Sequence, residues 1–344
     1  MSSDAKNMIS QSENDARIKT SKSRACINHF KRFWWIHLLV AVILIVLIAC
    51  LIVFVVLPKV VQSKLDAAKL DIQGVAVLQT KANGYLMEIN STITTDGSVH
   101  ADVEGFKGTL TLADVPDAKP FATLDFPPTT AESLSTVNIS QPVQITDAAA
   151  FIQFNTLFYQ GKSIRVRLHG NTKVKPRGTA REVDVDFTKF LEFNGLERFQ
   201  GTKVDGTVDI AARPGTPNFR GTAEIPNNSH FTLEIGNATF TNFADDQDLG
   251  KLTINNLILY PGINKVDIEA ELDQLKVLSI IRKRPYCETG IVPFKLLSTD
   301  VVNHGEKLEY FVAALGSANQ TVDMDIGRVL SKAVDGFKLS CSRG

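Results

Sequence analysis

The 344 residues carry 37 basic and 37 acidic side chains, so no overall charge draws the chain to nucleic acid. Phe is plentiful at 20 and Met scarce at 4, which is ordinary globular chemistry beside one apolar segment. Once a tail and that segment are set aside, about 290 residues remain, enough for about two domains.

Residues 1–36 form the tail, and its first 29, rich in Ser, Asn and Lys, read as disordered. Residues 37–57 follow as a transmembrane helix. Leu38 to Leu57 reads LLVAVILIVLIACLIVFVVL, without a charge, a Gly or a Pro. At 1.5 Å per residue, about 20 residues cross the ~30 Å hydrocarbon layer. Trp34 and Trp35 stand at its edge, where amphipathic rings favour the headgroup zone. Arg17, Lys19, Lys22, Arg24, Lys31 and Arg32 precede the segment, whereas Lys59, Lys64 and Lys69 follow it interleaved with Asp66 and Asp71. The excess of basic charge before the segment places the N-terminus in the cytosol and the remainder outside it, in a lumen. A cleaved signal peptide would have a shorter apolar stretch and a small-residue cleavage site.

Sequons occur at Asn90, Asn138, Asn227, Asn237 and Asn319, all after the apolar segment, and are expected glycosylation sites. Asn90, on the polar face of its strand pattern, and Asn227, in a Pro-Asn turn, are expected to be accessible. Of four cysteines, Cys26 lies in the tail and Cys50 in the apolar run. Cys287 and Cys341 would face an oxidising lumen, and a disulfide between them is the expected state, with two buried thiols the alternative.

Residues 58–72 read as a stalk, helical over KVVQSKLDAAKLDI. Beyond it, alternation of period two dominates. Met87, Ile89 and Ile93 oppose Glu88, Asn90 and Thr92. Similar patterns run through 106–112, 164–169, 182–187, 231–235 and 266–273. Each is a half-buried antiparallel strand. Pro127-Pro128, Pro214-Gly215, Pro226-Asn227 and Pro261-Gly262 punctuate them as turns. Many short strands so punctuated define a mainly β chain of antiparallel β-sandwich modules. Helical pattern is sparse. Residues 147–158 form a helix after an Asp cap, and 326–337 place Ile326, Val329, Leu330, Ala333, Val334 and Phe337 on one stripe. A faint repeat, in which Leu157–Gly170 and Val301–Gly316 play similar parts, divides the region into two tandem modules, 73–200 and 201–344.

The second module carries the most specific text. Phe219-Arg-Gly-Thr-Ala-Glu-Ile-Pro-Asn227 is followed by Thr232-Leu-Glu-Ile-Gly-Asn-Ala-Thr-Phe240, Leu252-Thr-Ile-Asn-Asn-Leu257 and Leu259-Tyr-Pro-Gly-Ile-Asn264. This order resembles a fungal family of N-terminally anchored membrane proteins with paired β-rich lumenal modules. The family includes a vacuolar membrane protein associated with ending autophagy. Its modules are similar to the late-embryogenesis-abundant group-two, or water-stress and hypersensitive-response, β-sandwich. The resemblance implies that fold and a vacuolar membrane, with the endoplasmic reticulum or plasma membrane as alternatives, and it transfers no catalytic residue.

No motif for nucleophilic, phosphate-binding or dinucleotide chemistry is present, and the six histidines are scattered without metal-ligand spacing. No enzymatic activity, cofactor or metal is expected. Asp245-Asp246-Gln-Asp248 reads as a solvated hairpin turn, because a calcium loop begun at Asp246 would end on Leu257. Arg165, Arg167, His169, Lys173, Lys175 and Arg177 share one strand parity. They are candidates for contact with anionic lipid or an acidic partner, against the plainer reading of a charged outer face. The acidic row Asp267, Glu269, Glu271 and Asp273 lies in the other module. The partners expected are thus the bilayer and a lumenal protein or lipid. The function expected is a membrane-anchored lumenal interaction protein, with a lipid-binding module, grooved between its sheets, as the alternative.

Overall fold

The computed structural model describes residues 33–213 and 215–342. Most of the expected tail, with Cys26 and the basic residues that set the orientation, lies outside the described residues. The chain divides into two units, Met1–Val61 and Gln62–Gly344.

The described part of the first unit is helical. Helix α1, Phe33–Ala67, runs for 35 residues and carries its last turn into the second unit. From Phe33 to Val56 its Val, Leu and Ile side chains stand exposed on every face, the pattern of a helix whose solvent is lipid. It is long and apolar enough to anchor the chain in a membrane. A π-helical stretch, Ile52–Val56, interrupts it.

The second unit is mainly β. Its strands begin with β1 (Lys69–Lys81), β2 (Gly84–Thr94), β3 (Ala101–Val103), β4 (Phe106–Leu112), β5 (Ala122–Phe126), β6 (Thr129–Ala131) and β7 (Leu134–Gln144). Helix α2 (Ala148–Gln160) leads to β8 (Ser163–Pro176), β9 (Val183–Asn194) and β10 (Lys203–Val208). Next come β11 (Phe219–Asn227), β12 (Phe231–Ala244), β13 (Gln247–Leu259) and β14 (Gly262–Leu272). Helices α3 (Gln274–Ile281) and α4 (Tyr286–Thr289) precede β15 (Ile291–Asn303) and β16 (Glu306–Lys307). Helix α5 (Glu309–Leu315), β17 (Gln320–Asp325) and α6 (Ile326–Ala333) complete the order.

The strands form two sheets. One has eleven strands, in the order β10-β11-β14-β13-β12-β1-β2-β7, with β15 added on β12 and β16 and β17 on β15. The other has six, in the order β5-β4-β8-β3-β6, with β9 on β8. Alternation explains the burial: on β8, Ile164, Val166, Leu168 and Val174 are buried while Arg165, Arg167, Lys173 and Lys175 are exposed. The β12–β13 hairpin closes on Asp245 and Asp246, both at positive φ, as a type I′ turn requires. Gly236, at φ +89, marks a bulge in β12, where a Cβ would lie 2.7 Å from the Val302 carbonyl.

Three expectations are corrected. The stalk is helical only through Ala67, and β1 begins at Lys69 because Leu70 and Ile72 alternate toward the core. The boundary at 200/201 separates strands but not cores. Strand β1 pairs in parallel with β12 at Val75–Phe231, so both expected modules share one sheet and one continuous apolar core. Helix α6 stops at Ala333, where Val334 turns extended, although Phe337 still packs on the core. The repeat resolves into a helix followed by a glycine. Gly161 N–H closes α2 on Leu157 O and Gly316 N–H closes α5 on Val312 O. The two helices meet, with Phe151 edge-on to Tyr310 at 4.9 Å.

Candidate functional site

Where β1 and β2 face β4, β5, β8 and β9, the core is not filled. A cavity remains, about 70 Å3 for the centre of a water-sized sphere and about 870 Å3 of interatomic space with its mouth included. Val75, Val77, Met87 and Ile89 form one wall, and Leu110, Leu124, Val166, Leu168 and Leu191 the other.

The inner end is aromatic, and α2 builds most of it. The Asp147 carboxylate accepts from the Ala150 N–H at 2.9 Å and starts the helix. Phe151, Phe154 and Phe158 then recur at helical spacing on its inner face. Phe121 stacks on Phe154 at 4.1 Å and Tyr85 on Phe151 at 5.3 Å.

Polar groups in the lining are few and engaged. Ser91 Oγ donates to Val137 O at 2.7 Å, and Asn155 Nδ2 to Phe151 O at 2.8 Å. Burial pushes the Tyr85 hydroxyl well above its usual range, so it stays neutral. Among the described residues no charged side chain lines the space. It can hold apolar matter, each buried methylene contributing about 0.8 kcal/mol relative to water.

Leu70, Ile72 and Phe126 are the half-buried members of the lining, so the cavity opens where β1 begins. Phe126 stacks on Phe106 at 4.9 Å. Glycine lets the pair lie against the sheet: a Cβ on Gly170 would stand 2.6 Å from Lys107 O and 2.7 Å from the Phe106 ring. The chain arrives at this mouth through the last turn of α1. Lys189 Nζ donates to the carbonyls of Leu65, Asp66 and Ala68 at 2.7, 3.0 and 2.6 Å. Desolvation lowers the Lys189 pKa, and the nearby Asp66 charge offsets part of that. Gln62 pairs with both the N–H and the carbonyl of Asp186, at 3.0 and 2.8 Å, as a neighbouring strand would on the free edge of β9.

The basic row of β8 lies on the outer face of the six-stranded sheet, and acids answer most of it. Arg165 bonds Asp114 at 2.8 Å and lies over the Phe190 ring at 5.9 Å. His169 stands 3.2 Å from Asp186, Lys173 4.0 Å from Glu182 and Arg177 3.5 Å from Glu132. Arg167 and Lys175 have no ion pair among the described residues. The acidic row lies on β14 of the other sheet. There Glu269 meets Arg220 at 3.0 Å, Glu271 accepts from Gly215 N–H at 2.9 Å, and Asp273 caps α3. Among the described residues no ion pair joins the two rows.

Asn90 and Asn138 face each other across β2 and β7, both exposed, and Asn237 and Asn319 are exposed too. The expected accessibility of Asn227 is corrected. Its side chain is buried, donating from Nδ2 to Phe231 O at 2.7 Å and accepting from Ser229 Oγ at 2.6 Å. The expected Pro-Asn turn is corrected too: Pro226 and Asn227 end β11, paired with Ile263 and Gly262, and the chain turns after them at 228–230. Cys287 and Cys341 are disulfide-bonded. Among the described residues no cluster of His, Cys, Asp or Glu could hold a metal ion.

Residues 119–242 match a family described as a protein of unknown function, DUF3712. The match covers just over a third of the chain and crosses the expected boundary at 200/201, running through one cavity wall, α2 and β12. No curated protein matches. Among solved structures, the chain is similar to a crystallised protein from Archaeoglobus fulgidus at 15% identity. That similarity covers 37% of this chain and 94% of the other at a TM-score of 0.22. It is also similar to the class 5 fimbriae chaperone CfaA at 9% identity, covering 70% and 97% at a TM-score of 0.17. At such scores neither likeness carries an argument.

Sequence reading did not locate the cavity, although it placed a helix over 147–158, which holds Phe151, Phe154 and Phe158. An aromatic stripe beside empty space and one inside a filled core have the same spacing.

Proposed function

We propose that the folded unit is a non-enzymatic, membrane-anchored module that binds the apolar part of a lipid between its sheets. One observation carries this reading: an uncharged, aromatic-ended cavity opens where β1 begins. In the chain, Leu70 follows the apolar run that ends at Leu57 by little more than a dozen residues. The bilayer is therefore the nearest source of an apolar ligand.

The reading includes an N-terminus in the cytosol and the folded unit in the lumen of an endomembrane, the vacuole by resemblance to the late-embryogenesis-abundant-like family. The Cys287–Cys341 disulfide supports an oxidising compartment. A protein partner is the second reading, favoured by Tyr260 and Ile263, 57% and 69% exposed at the β13–β14 turn.

The test is to purify the full chain from membranes and extract what accompanies it. Lipid at about one molecule per chain is expected, and Val77→Phe, which fills the cavity, should reduce it several-fold. Absence of bound lipid from the parent protein, or unchanged lipid in the filled variant, would refute the assignment.

A further inference from the structure

We infer that the cavity takes one acyl chain tail-first and leaves the headgroup outside, so that the site accepts a chain without regard to headgroup charge. The inference rests on the lipid-binding reading above. Phosphate, ammonium and carboxylate groups are costly to bury without partners. The lining offers them no charged partner: its polar groups are Ser91 and Asn155, bonded to the Val137 and Phe151 carbonyls, and the Tyr85 hydroxyl. A terminal methyl group needs no partner there.

The mouth is equally silent toward charge. Its half-buried members, Leu70, Ile72 and Phe126, are apolar. The charges around it are matched: Lys64 pairs with Asp96, Lys107 stands 3.8 Å from Asp125, and Lys189 is held by three carbonyls. Lys69 and Asp71 have the opposite strand parity to Leu70 and Ile72 and face away from the opening. A headgroup resting at the mouth thus meets neither a cation to hold it nor an anion to repel it.

Energetics agree with this. A chain that leaves a bilayer for the cavity exchanges one apolar environment for another, and lipid tails are about as apolar as Leu. Transfer is close to balance, so occupancy follows the composition of the adjoining membrane.

The test uses the full chain in phosphatidylcholine nanodiscs doped with photoactivatable lipids. The diazirine sits either at the chain end or beside the carbonyl. Each probe is made with a choline, a serine or a bare diacylglycerol head. Labelled residues are then mapped by mass spectrometry. Chain-end probes are expected on Tyr85, Met87 or Phe154, and carbonyl-side probes on Leu70, Ile72 or Phe126. The three heads should agree within about threefold, under 1 kcal/mol. Carbonyl-side probes at the aromatic end or a larger headgroup preference overturns tail-first entry and leaves lipid binding standing. No labelling of cavity residues by any probe overturns the lipid-binding reading itself.

Discussion

Helices α2 and α5 hold matching places in the two halves of the folded unit, yet their surroundings differ. Among the described residues, most of the largest side chains almost wholly excluded from solvent, including Phe219, Ile235, Leu259, Ile268 and Leu308, lie beyond residue 200. Leu124, Val166 and Leu168, in the first half, are walls of the cavity. The second half has a cleft as well, about 60 Å3, rimmed by the exposed Ile210. The contrast shows that exclusion of solvent and filling of space are different properties. Branched aliphatic side chains close the core around Leu259 but also line both voids, and at the inner end of the larger one the rings of Tyr85, Phe121, Phe151 and Phe154 stack on one another.

The largest effect expected to probe this difference comes from the disulfide. Cys287 and Cys341, 54 residues apart, tie the C-terminal segment to α4 in the second half. Chain-entropy reasoning gives such a link about 4 kcal/mol. Cys341→Ser should lower the melting temperature of the full chain and raise amide exchange first around α4 and β15. Equal loosening around the cavity would show that the two halves open as one.

Core truncation comes next. Leu259 is fully buried, and Leu259→Ala should cost about 3 kcal/mol, through lost burial and a new void. Met87→Ala, on a wall that already borders empty space, should cost about 2 kcal/mol or less. Side-by-side denaturant unfolding would compare them, and equal costs would abolish the distinction between the closed packing around Leu259 and the cavity wall.

A smaller effect is expected at the mouth. In Gly170→Ala the new methyl would stand 2.6 Å from a backbone carbonyl, so β4 must shift against β8, at about 1–2 kcal/mol. The Phe106–Phe126 pair would move with it. Thermal unfolding should register the cost, and an unchanged melting temperature would mean that the sheet yields without strain.

Strands were legible wherever alternation was strict. Ile164, Val166 and Leu168 against Arg165 and Arg167 admit no other reading, and the Asp147 cap marked α2. The sharing of a sheet was not legible. Val75 pairs with Phe231 in parallel, and nothing local at either residue announces so distant a partner. Lys69–Ile72 suits a helix end as well as a strand start, and only the core that receives Leu70 and Ile72 decides. Helix α5 was hidden because Tyr310, Phe311 and Val312 have the composition of a strand. The site was the least legible, since empty space has no residue of its own.

The smallest effect concerns the clasp that joins the two halves above the closed end. Glu234 on β12 accepts from the Gln79 N–H at 2.6 Å and from Asn303 Nδ2 at 3.0 Å, and stands 3.0 Å from His304 Nε2. Thr80 Oγ1 donates to the Glu234 carbonyl at 2.8 Å. The β1–β2 turn is thereby fastened to β12 and β15. Burial alone would raise the Glu234 pKa, but the hydrogen bonds from Asn303, Gln79 and His304 together bring it below the usual 4.5. The folded chain thus binds this proton less readily than the unfolded chain. Its stabilisation is whole above about pH 4.5 and is lost as pH falls through the depressed folded value. Glu234→Gln keeps the shape and removes the titration. It should cost under about 1 kcal/mol at neutral pH, since a partly solvated carboxylate contributes little. The difference in melting temperature between parent and variant should then shrink below pH 4. The other depressed carboxylates, Asp96, Asp147, Asp205 and Asp273, titrate alike in both proteins and cancel in that difference. A difference that stayed constant from pH 7 to pH 3 would mean that the charge of Glu234 does not fasten the halves, and that the contact of β1 with β12 holds them by itself.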